Sequence, residues 1–337
     1  MNTPRGVIQT TSHPTTPDVN LILETEFRVY DCLIATGFLV CFLIGLPGNC
    51  LAFKYFIRTE KLKLADLLYA IACVIDICSS IIHLPVAVNL FSKRRPGAFT
   101  SIIFCSMWYF ILLLLQQMSM FVVMLISLSR SIIIVCPFYK VSRKVVLLAI
   151  LVFCLYHCAW NVLWFLSGAD QMHYSHTAGY CVAYSESIID TLYQANYSVC
   201  VAVPPIIVFL SILVSVTKLC KEHVTNASER RNRRVSVTMA YFAAIFLFCN
   251  FPTFVNSVLF TFTMARYKTY PGPIYTDNFM FFYSWLLTEI FCTVLNASLN
   301  PLLYFWRMRS MRLWVLGLIR KLWSSIYMVF TSARNQN

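Results

Sequence analysis

The sequence has little charge for its length. Asp, Glu, Lys and Arg make up only 12% of its 337 residues, whereas 59% are hydrophobic and the mean hydropathy is +0.68. A soluble domain of this size does not need so much apolar surface, so the expected solvent is a lipid bilayer. An aromatic content of 15% is typical of a protein with Trp and Tyr side chains at two membrane interfaces.

Several classes of protein are disfavoured by what is missing. Asp76 has no acidic mate near it in the sequence, and the six histidines are scattered, so no constellation of an intramembrane enzyme is present. The internal repeats and paired broken helices of secondary transporters are also missing. The net charge of +13 comes from short loops rather than from a basic domain that could bind nucleic acid. We therefore expect a protein that is not an enzyme.

Seven apolar segments are long enough to cross a bilayer, which takes about 20 residues. They are 31–56, 64–91, 101–136, 145–168, 192–219, 235–264 and 278–306. The predicted fold is therefore an all-α membrane protein with a seven-transmembrane helix bundle over residues 31–306. Lys and Arg are concentrated in the loops on one side of this bundle, which predicts that the N-terminus is outside and the C-terminus is cytoplasmic.

The two ends of the chain differ from the apolar segments. Residues 1–30 begin with a polar Thr- and Pro-rich stretch that lacks a cleavable signal, and they are predicted to be a disordered extracellular N-terminus. Residues 307–328 alternate basic and apolar side chains, which favours an amphipathic helix on the membrane surface. Residues 329–337 are predicted to form a short cytoplasmic tail.

Polar residues inside the apolar segments are candidate functional residues, because each is costly in lipid unless it finds a partner or water. Asp76 lies in the middle of the second segment, and neutral oxygen-bearing residues occur in other segments: Asn49, Ser119, Asn296 and Asn300. One carboxylate with neutral oxygen ligands suits a small hard cation such as sodium. The same residues are equally suited to a hydrogen-bonded cluster that holds helices together. The residues alone leave both interpretations open.

Several motifs resemble those of rhodopsin-like (class A) G-protein-coupled receptors. The run Asn300-Pro301-Leu302-Leu303-Tyr304 is similar to the NPxxY motif of that family. Arg130 follows Cys105 by twenty-five residues, which is the family's spacing from the third-helix cysteine to the arginine of the DRY motif. Further matches are Gly48-Asn49 and Asp76 in the first two helices, Pro137 in the second inner loop, Pro204 or Pro205 in the fifth helix, and Phe246, Cys249 and Pro252 in the sixth. The resemblance covers about residues 30–325.

Two motifs depart from the family pattern. DRY is replaced by Ser129-Arg130-Ser131, and Asn250 stands where the CWxP motif has tryptophan. The resemblance implies that the arginine at the position of Arg130 is restrained by its neighbouring acid and by an acid on the sixth helix. On activation it turns to the G protein. Ser129 cannot form an ion pair, and Asn232 stands at the sixth-helix position. We expect a weaker, neutral restraint and raised basal activity. The coupling and switch candidates are Arg130, Phe246, Asn250, Pro252, Asn300, Pro301 and Tyr304.

The resemblance also implies a ligand pocket in the outer half of the bundle. A biogenic amine and retinal are disfavoured, because Leu112 and Val294 stand where the corresponding relatives carry an aspartate and a lysine. A small peptide or an odorant-like, amphipathic molecule fits the remaining candidate ligand-binding residues: His83, Gln116, Gln117, Tyr193, Trp285 and Glu289. Glu289 is suited to pair with a cationic ligand group or, equally, with Arg266 or Lys268 of the protein itself.

The family resemblance further implies a disulfide between Cys105 and Cys181, with Cys32 and Cys200 as competing partners. Asn196 lies in the one sequon expected to face outside and is the candidate glycosylation site. The implied partners are an extracellular ligand, a heterotrimeric G protein and membrane lipids, with no nucleic acid. No cofactor is expected apart from an allosteric sodium ion. The implied location is the plasma membrane, and a multi-span transporter or a non-signalling seven-helix membrane protein is the alternative.

Overall fold

Long helices dominate the chain. The computed structural model describes the backbone of residues 17–58, 63–92, 101–136, 138–139, 141–168, 172–175, 180–183, 188–221, 227–267 and 279–334. The helices of these residues are α1 (Pro17–Ile57), α2 (Leu64–Ile82), α3 (Leu84–Phe91), α4 (Ile102–Val135), α5 (Arg143–Gly168), α6 (Ile188–Lys221), α7 (Ala227–Tyr267), α8 (Phe279–Arg307) and α9 (Arg309–Arg334). Two short strands, β1 (Met172–Ser175) and β2 (Tyr180–Ala183), lie between α5 and α6.

The helices form the predicted seven-transmembrane bundle. Six helical stretches of the described residues are long and apolar enough to cross a membrane: Val29–Ile57, Leu64–Phe91, Ile103–Val135, Arg143–Leu166, Ala195–Lys218 and Ala240–Leu259. The seventh segment is α8, a helix of 29 residues that contacts α1, α2 and α7. Many large apolar side chains point away from the bundle, among them Leu33, Leu43, Leu155 and Phe248. Such exposure is expected where lipid rather than water surrounds the helices.

Helix ends extend beyond the apolar segments. α1 begins at Pro17, so residues 17–30 are helical and not the disordered segment that the sequence predicts. α7 begins at Ala227, and α9 ends at Arg334 rather than at residue 328. Hydropathy marks the part of a helix that crosses lipid, whereas the backbone hydrogen bonds continue into polar residues. Pro at the first helical position and the following Asp18 also favour a helix start at residue 17.

The second span is two helices that meet at His83. His83 lies between α2 and α3 and caps both helices, and Pro85 lies in the first turn of α3. Proline has no backbone N–H and its ring displaces the preceding turn, so the helix breaks here. His83 Nδ1 donates to the Ser79 carbonyl at 2.6 Å, and its ring stacks on Phe38 with centroids 6.3 Å apart. These contacts hold the break in place.

A hairpin lies at one end of the bundle. β1 and β2 pair antiparallel with Met172 opposite Ala183, and both contact α4. We call this end of the bundle the hairpin end, and the opposite end, where α8 meets α9, the α9 end. The strands were not expected, because four-residue strands give no long apolar run or periodicity. They are an addition to the all-α fold class.

Two glycines let α1 and α8 approach closely. A Cβ atom on Gly45 would lie 2.7 Å from Ser298 Oγ, and one on Gly48 would lie 2.8 Å from two ring atoms of Pro301. Small residues at such contacts allow helix backbones to approach in a membrane, where packing drives association. The Ser298 hydroxyl is within 2.9 Å of the Cys41 carbonyl, which joins the same two helices. This contact fixes the depth of α8 and therefore of its polar residues.

Candidate functional site

A buried polar cluster occupies the centre of the bundle. Asp76 is 2% exposed, and its Oδ2 accepts a hydrogen bond of 2.8 Å from Asn300 Nδ2 across the α2–α8 interface. Asn49 on α1 donates from Nδ2 to the Ala297 carbonyl at 2.9 Å. Three spans are thus tied together by amide and carboxylate groups, as expected for polar groups that must find partners away from water.

The same cluster leaves oxygen atoms for a cation. Asn49 Oδ1 and Asn296 Oδ1 are buried and accept no hydrogen bond from the described residues. Asn296 precedes Asn300 by one helical turn, so it lies on the same face of α8, and Ser119 is half-buried on α4. Among the described residues no three His, Cys, Asp or Glu side chains gather. The residues therefore fit a monovalent cation held by one carboxylate and neutral oxygens.

Arg130 lies near the α9 end of α4 and is half-buried. Its guanidinium lies near the hydroxyl of Tyr69 on α2, while its Nε atom has no described partner. The Ser129 hydroxyl donates to the Ile126 carbonyl of its own helix at 2.9 Å and does not contact Arg130. No carboxylate among the residues that the structure describes forms an ion pair with this arginine. The side chains of Asn232 and Glu229 lie outside the described residues.

Tyr69 is held by an aromatic cluster that joins four spans. Its ring lies with its centroid 5.2 Å from that of Phe56, 5.4 Å from Tyr304 and 6.2 Å from Phe242. Tyr304, the last residue of the NPxxY-like motif, packs against both other rings at 5.2 Å. Its hydroxyl is buried and has no hydrogen bond to the described residues. The partner of Arg130 is therefore fixed by the first, second, sixth and seventh spans together.

Sequence reasoning missed the contacts that surround Arg130. Tyr69 is uncharged, and a tyrosine inside an apolar segment does not stand out as a candidate functional residue. Ser131, the second changed residue of the motif, donates to the Ser211 carbonyl at 3.1 Å and accepts from Ser215 at 3.3 Å. These bonds join α4 to α6 beside a small cavity that Arg130, Ser127 and residues of α6 line. Ser131 thus contributes a neutral link between the third and fifth spans.

A second arginine links the sixth and seventh spans at the α9 end. Arg307 Nε donates to Thr238 Oγ1 at 3.2 Å. Its guanidinium carbon lies 5.3 Å from the ring centroid of Tyr241 and 5.2 Å from that of Trp306. Cation–π contacts of this kind add to the hydrogen bond. No motif in the sequence indicates a function for Arg307 beyond its charge at a membrane boundary.

The sixth-helix motif is buried but makes its polar contact within its own helix. Asn250 Nδ2 donates to the Phe246 carbonyl at 2.8 Å. Phe246 packs in a cluster with Met120 of α4 and Val201 of α6. Pro252 lies inside the long helix α7, where proline removes one backbone hydrogen bond. Asn250 therefore does not take over a contact to another span among the described residues.

A hydrogen-bonded network crosses four spans nearer the hairpin end. The Tyr197 hydroxyl on α6 donates to Gln116 Oε1 at 3.0 Å, and Gln116 Nε2 donates to Thr253 Oγ1 at 3.2 Å. Thr253 also lies close to the Glu289 carboxylate, whose Oε2 accepts from Asn256 Nδ2 at 2.9 Å. The structure therefore brings together two predicted ligand-binding residues, Gln116 and Glu289. It adds three residues that the sequence analysis did not name.

The other predicted ligand residues make contacts of their own. His83 forms the break between α2 and α3 described above. The Tyr193 hydroxyl donates to Asn161 Oδ1 at 2.5 Å, and its ring stacks on Trp164 with centroids 4.9 Å apart. Gln117 is buried, and its Oε1 has no described partner, whereas Trp285 is half-buried on α8. The described contacts join neither His83 nor Tyr193 to Glu289. The side chains of Arg266 and Lys268 lie outside the described residues.

Two predictions concern the hairpin end. Cys105 is disulfide-bonded, and the competing partners Cys32 and Cys200 are free thiols. The side chain of Cys181 lies outside the described residues, so its pairing with Cys105 stays a prediction, although β2 contacts α4. Asn196 lies within α6, where its Oδ1 accepts from the Tyr156 hydroxyl at 2.6 Å. This contact gives Asn196 a packing role, and glycosylation there stays a prediction.

Comparison with known families agrees with this architecture. The family model described as 7 transmembrane receptor (rhodopsin family) matches residues 48–304 of the chain. The match extends from the glycine that contacts Pro301 to the tyrosine that packs on Tyr69. A search of curated proteins finds no match to the chain. The chain belongs to the rhodopsin family of seven-transmembrane receptors.

Proposed function

We propose that this receptor converts binding of an extracellular ligand into nucleotide exchange on a heterotrimeric G protein, and that it does so with raised basal activity. The single observation that carries the proposal is the environment of Arg130. The guanidinium lies near the neutral Tyr69 hydroxyl, and the Ser129 hydroxyl turns back to its own helix. The arginine of the family motif is thus kept while its neighbouring acid is replaced.

The missing ion pair sets the size of the basal activity. An ion pair near the membrane interface contributes about 1 kcal/mol. A loss of this size from the restrained conformation raises the active population about fivefold, as long as that population is small. The expected consequence is nucleotide exchange without ligand.

The test restores the acid. Ser129→Asp should lower ligand-free nucleotide exchange about fivefold, because the new carboxylate can pair with Arg130. Ser129→Asn is the matched control, since asparagine has the same shape as aspartate without the charge. This variant should keep the wild-type rate of exchange. A wild-type receptor with no basal exchange, or one whose basal exchange is the same in the Ser129→Asp variant, contradicts the proposal.

The ligand is proposed to bind among the four spans joined by Gln116, Thr253 and Glu289. These side chains lie toward the hairpin end, which we expect to be outside the cell because Lys and Arg are concentrated in the loops of the other end. A small peptide or an odorant-like, amphipathic molecule suits the mixture of amides, hydroxyls and aromatic rings there. A ligand screen in cells that report several second messengers identifies the ligand class.

Sodium is proposed as an allosteric ion at the central cluster. Asp76 supplies the one carboxylate that the described residues bring to this cluster, and the amide oxygen of Asn296 is buried without a described partner. One negative charge with neutral oxygens suits a monovalent cation. The residues contribute binding and orientation, and no chemical step is assigned to the ion.

A transporter is the alternative function, and two observations separate the alternatives. A receptor increases nucleotide exchange on a G protein when its ligand is added, whereas a transporter moves a labelled solute across the membrane and leaves exchange unchanged. Plasma-membrane location and an outside N-terminus are part of the proposal. An epitope at the N-terminus should be stained on intact cells, and one at the C-terminus only after permeabilisation.

A further inference from the structure

Glu289 lies beside a chain of hydrogen bonds near the hairpin end. Tyr197 donates to Gln116, and Gln116 donates to Thr253. Thr253 lies close to the Glu289 carboxylate, and Asn256 donates to that carboxylate from the next turn of α7. The bond from Asn256 uses one of the acceptor positions of the carboxylate.

The negative charge of Glu289 is not balanced by the residues around it. The side chain is 8% exposed, and its described donor Asn256 and its neighbour Thr253 are neutral. Among the residues that the structure describes, no Lys, Arg or His forms an ion pair with it. Hydrogen bonds from neutral groups offset only part of the cost of burying a charge, so such a carboxylate favours a nearby cation. One described donor also leaves acceptor positions open, because a carboxylate accepts about four hydrogen bonds.

The position of Glu289 suits a ligand that enters from the hairpin end. It lies ten residues after the start of α8 at Phe279, which is about 15 Å along a helix that rises about 1.5 Å per residue. This depth is within the half of the bundle nearer the hairpin. Trp285 lies one turn closer to that end and is half-buried. A ligand cation that reaches this depth is surrounded by aromatic and neutral polar side chains and by one negative charge.

We propose that Glu289 binds a protonated amino group of the ligand, carried either by the free N-terminus of a small peptide or by an amphipathic amine. The proposal rests on the receptor function and names the chemistry of its ligand. An ammonium group supplies up to three donors, which match the open acceptor positions of the carboxylate. The absence of an acid at Leu112 does not conflict with it, because the carboxylate comes from the seventh span instead of the third. The bond from Asn256 on α7 holds the carboxylate in place for the ligand.

The experiment measures binding to the purified full-length receptor and needs no knowledge of the natural ligand. Two matched pairs of probes are used: phenylalanyl-phenylalanine amide with its N-acetylated form, and hexylamine with hexanol. Each is added at millimolar concentration, and its stabilisation of the receptor is read as a shift in melting temperature, which follows from binding to the folded state alone. Sodium chloride at equal concentration is the inorganic control.

The expected result is that at least one amine stabilises the wild type more than its neutral counterpart and more than sodium. Glu289→Gln should weaken that amine about 10- to 100-fold, which is the effect of losing a charge-assisted hydrogen bond of about 1.5–3 kcal/mol. Glu289→Asp keeps the charge and should keep the preference for the amine. Glu60→Gln makes the same chemical change in a predicted inner loop and should leave binding unchanged.

The outcomes separate the proposal from the receptor function. Selectivity within the peptide pair assigns the ammonium to a peptide N-terminus, and selectivity within the alkyl pair assigns it to an amphipathic amine. No amine preference in the wild type, an equal effect of sodium, or a preference that survives in Glu289→Gln overturns the proposal. Should Glu289→Gln be unstable without ligand, the comparison of Glu289→Asp with wild type still decides, because a lost preference in the aspartate variant also overturns it. Amine binding together with failed nucleotide exchange on every G protein would refute the receptor function and leave the amine site standing.

Discussion

Tyr69→Phe is the substitution that tests the restraint of Arg130 most specifically. It removes the hydroxyl that lies near the guanidinium and keeps the ring that packs against Phe56, Phe242 and Tyr304. The cluster of rings that joins four spans is therefore preserved, while Arg130 loses a neighbouring polar group. We expect the arginine to become available to a G protein more often.

The structure sets the size of this effect. Hydrogen bonds to a charged group contribute about 1.5–3 kcal/mol, and Tyr69 is 3% exposed. Arg130 is only half-buried, so solvent screens part of the interaction and a value of about 1 kcal/mol is expected. Ligand-free nucleotide exchange should then rise about fivefold, as long as the active fraction is small.

The assay compares initial rates of nucleotide exchange on a purified G protein at equal receptor density. Tyr156→Phe is the matched control, because it removes a hydroxyl that donates to Asn196 near the other end of the bundle. This control should leave the basal rate unchanged. A basal rate in Tyr69→Phe that equals or falls below that of the wild type, with the receptor folded, refutes the assignment of Tyr69 as the restraint.

The remaining predictions concern other contacts of the bundle. Gly45→Ala should destabilise the receptor by about 1–3 kcal/mol through overpacking against Ser298, which is measured as a lower melting temperature. Gly317 has open space around it, so Gly317→Ala should leave the melting temperature unchanged. Equal melting temperatures for the two variants would contradict the close approach of α1 and α8. Arg307→Met should raise ligand-free exchange severalfold, because it releases Thr238 and Tyr241. Arg309→Met, at an exposed neighbouring position, should leave the rate of exchange unchanged. An unchanged rate in both variants would show that Arg307 does not restrain the receptor. Asp76→Asn should abolish the effect of sodium on ligand affinity, and a sodium effect that persists would place the ion elsewhere.

The sequence predicts the spans of this fold well, because lipid imposes a strong constraint on composition. A spanning helix must be apolar over about 20 residues, and the boundaries of the apolar segments follow from that requirement. The polar pair Asp76 and Asn300 was identified for a similar reason, since a polar group in lipid must find a partner. Their direct hydrogen bond of 2.8 Å confirms that these two residues lie together.

Hydropathy gives no information about features that do not depend on contact with lipid. The helix start at Pro17 and the extension of α7 into basic residues lie beyond the apolar segments. The hairpin consists of strands of four residues, which are too short for a periodic signal. These elements depend on local hydrogen bonds and on tertiary contacts that no single segment encodes.

Individual contacts of the candidate sites were predicted only in part. Gln116 and Glu289 were named because their side chains are polar inside apolar segments. Tyr197, Thr253 and Asn256 were not, because their contacts with Gln116 and Glu289 depend on how each helix is rotated about its axis. Tyr69 was missed for the same reason: a tyrosine in an apolar segment is ordinary, and only the packing of four spans places its hydroxyl beside Arg130.

The most direct test of the central claim is ligand-free nucleotide exchange by the purified receptor, measured side by side for wild type and Arg130→Ala on members of each major class of G protein. We expect measurable nucleotide exchange by the wild-type receptor on at least one G protein. We expect this exchange to be lost in Arg130→Ala, with both receptors folded and equally abundant. Exchange that is absent from the wild type, or that continues unchanged in Arg130→Ala, would contradict the proposed role of Arg130 in basal activity.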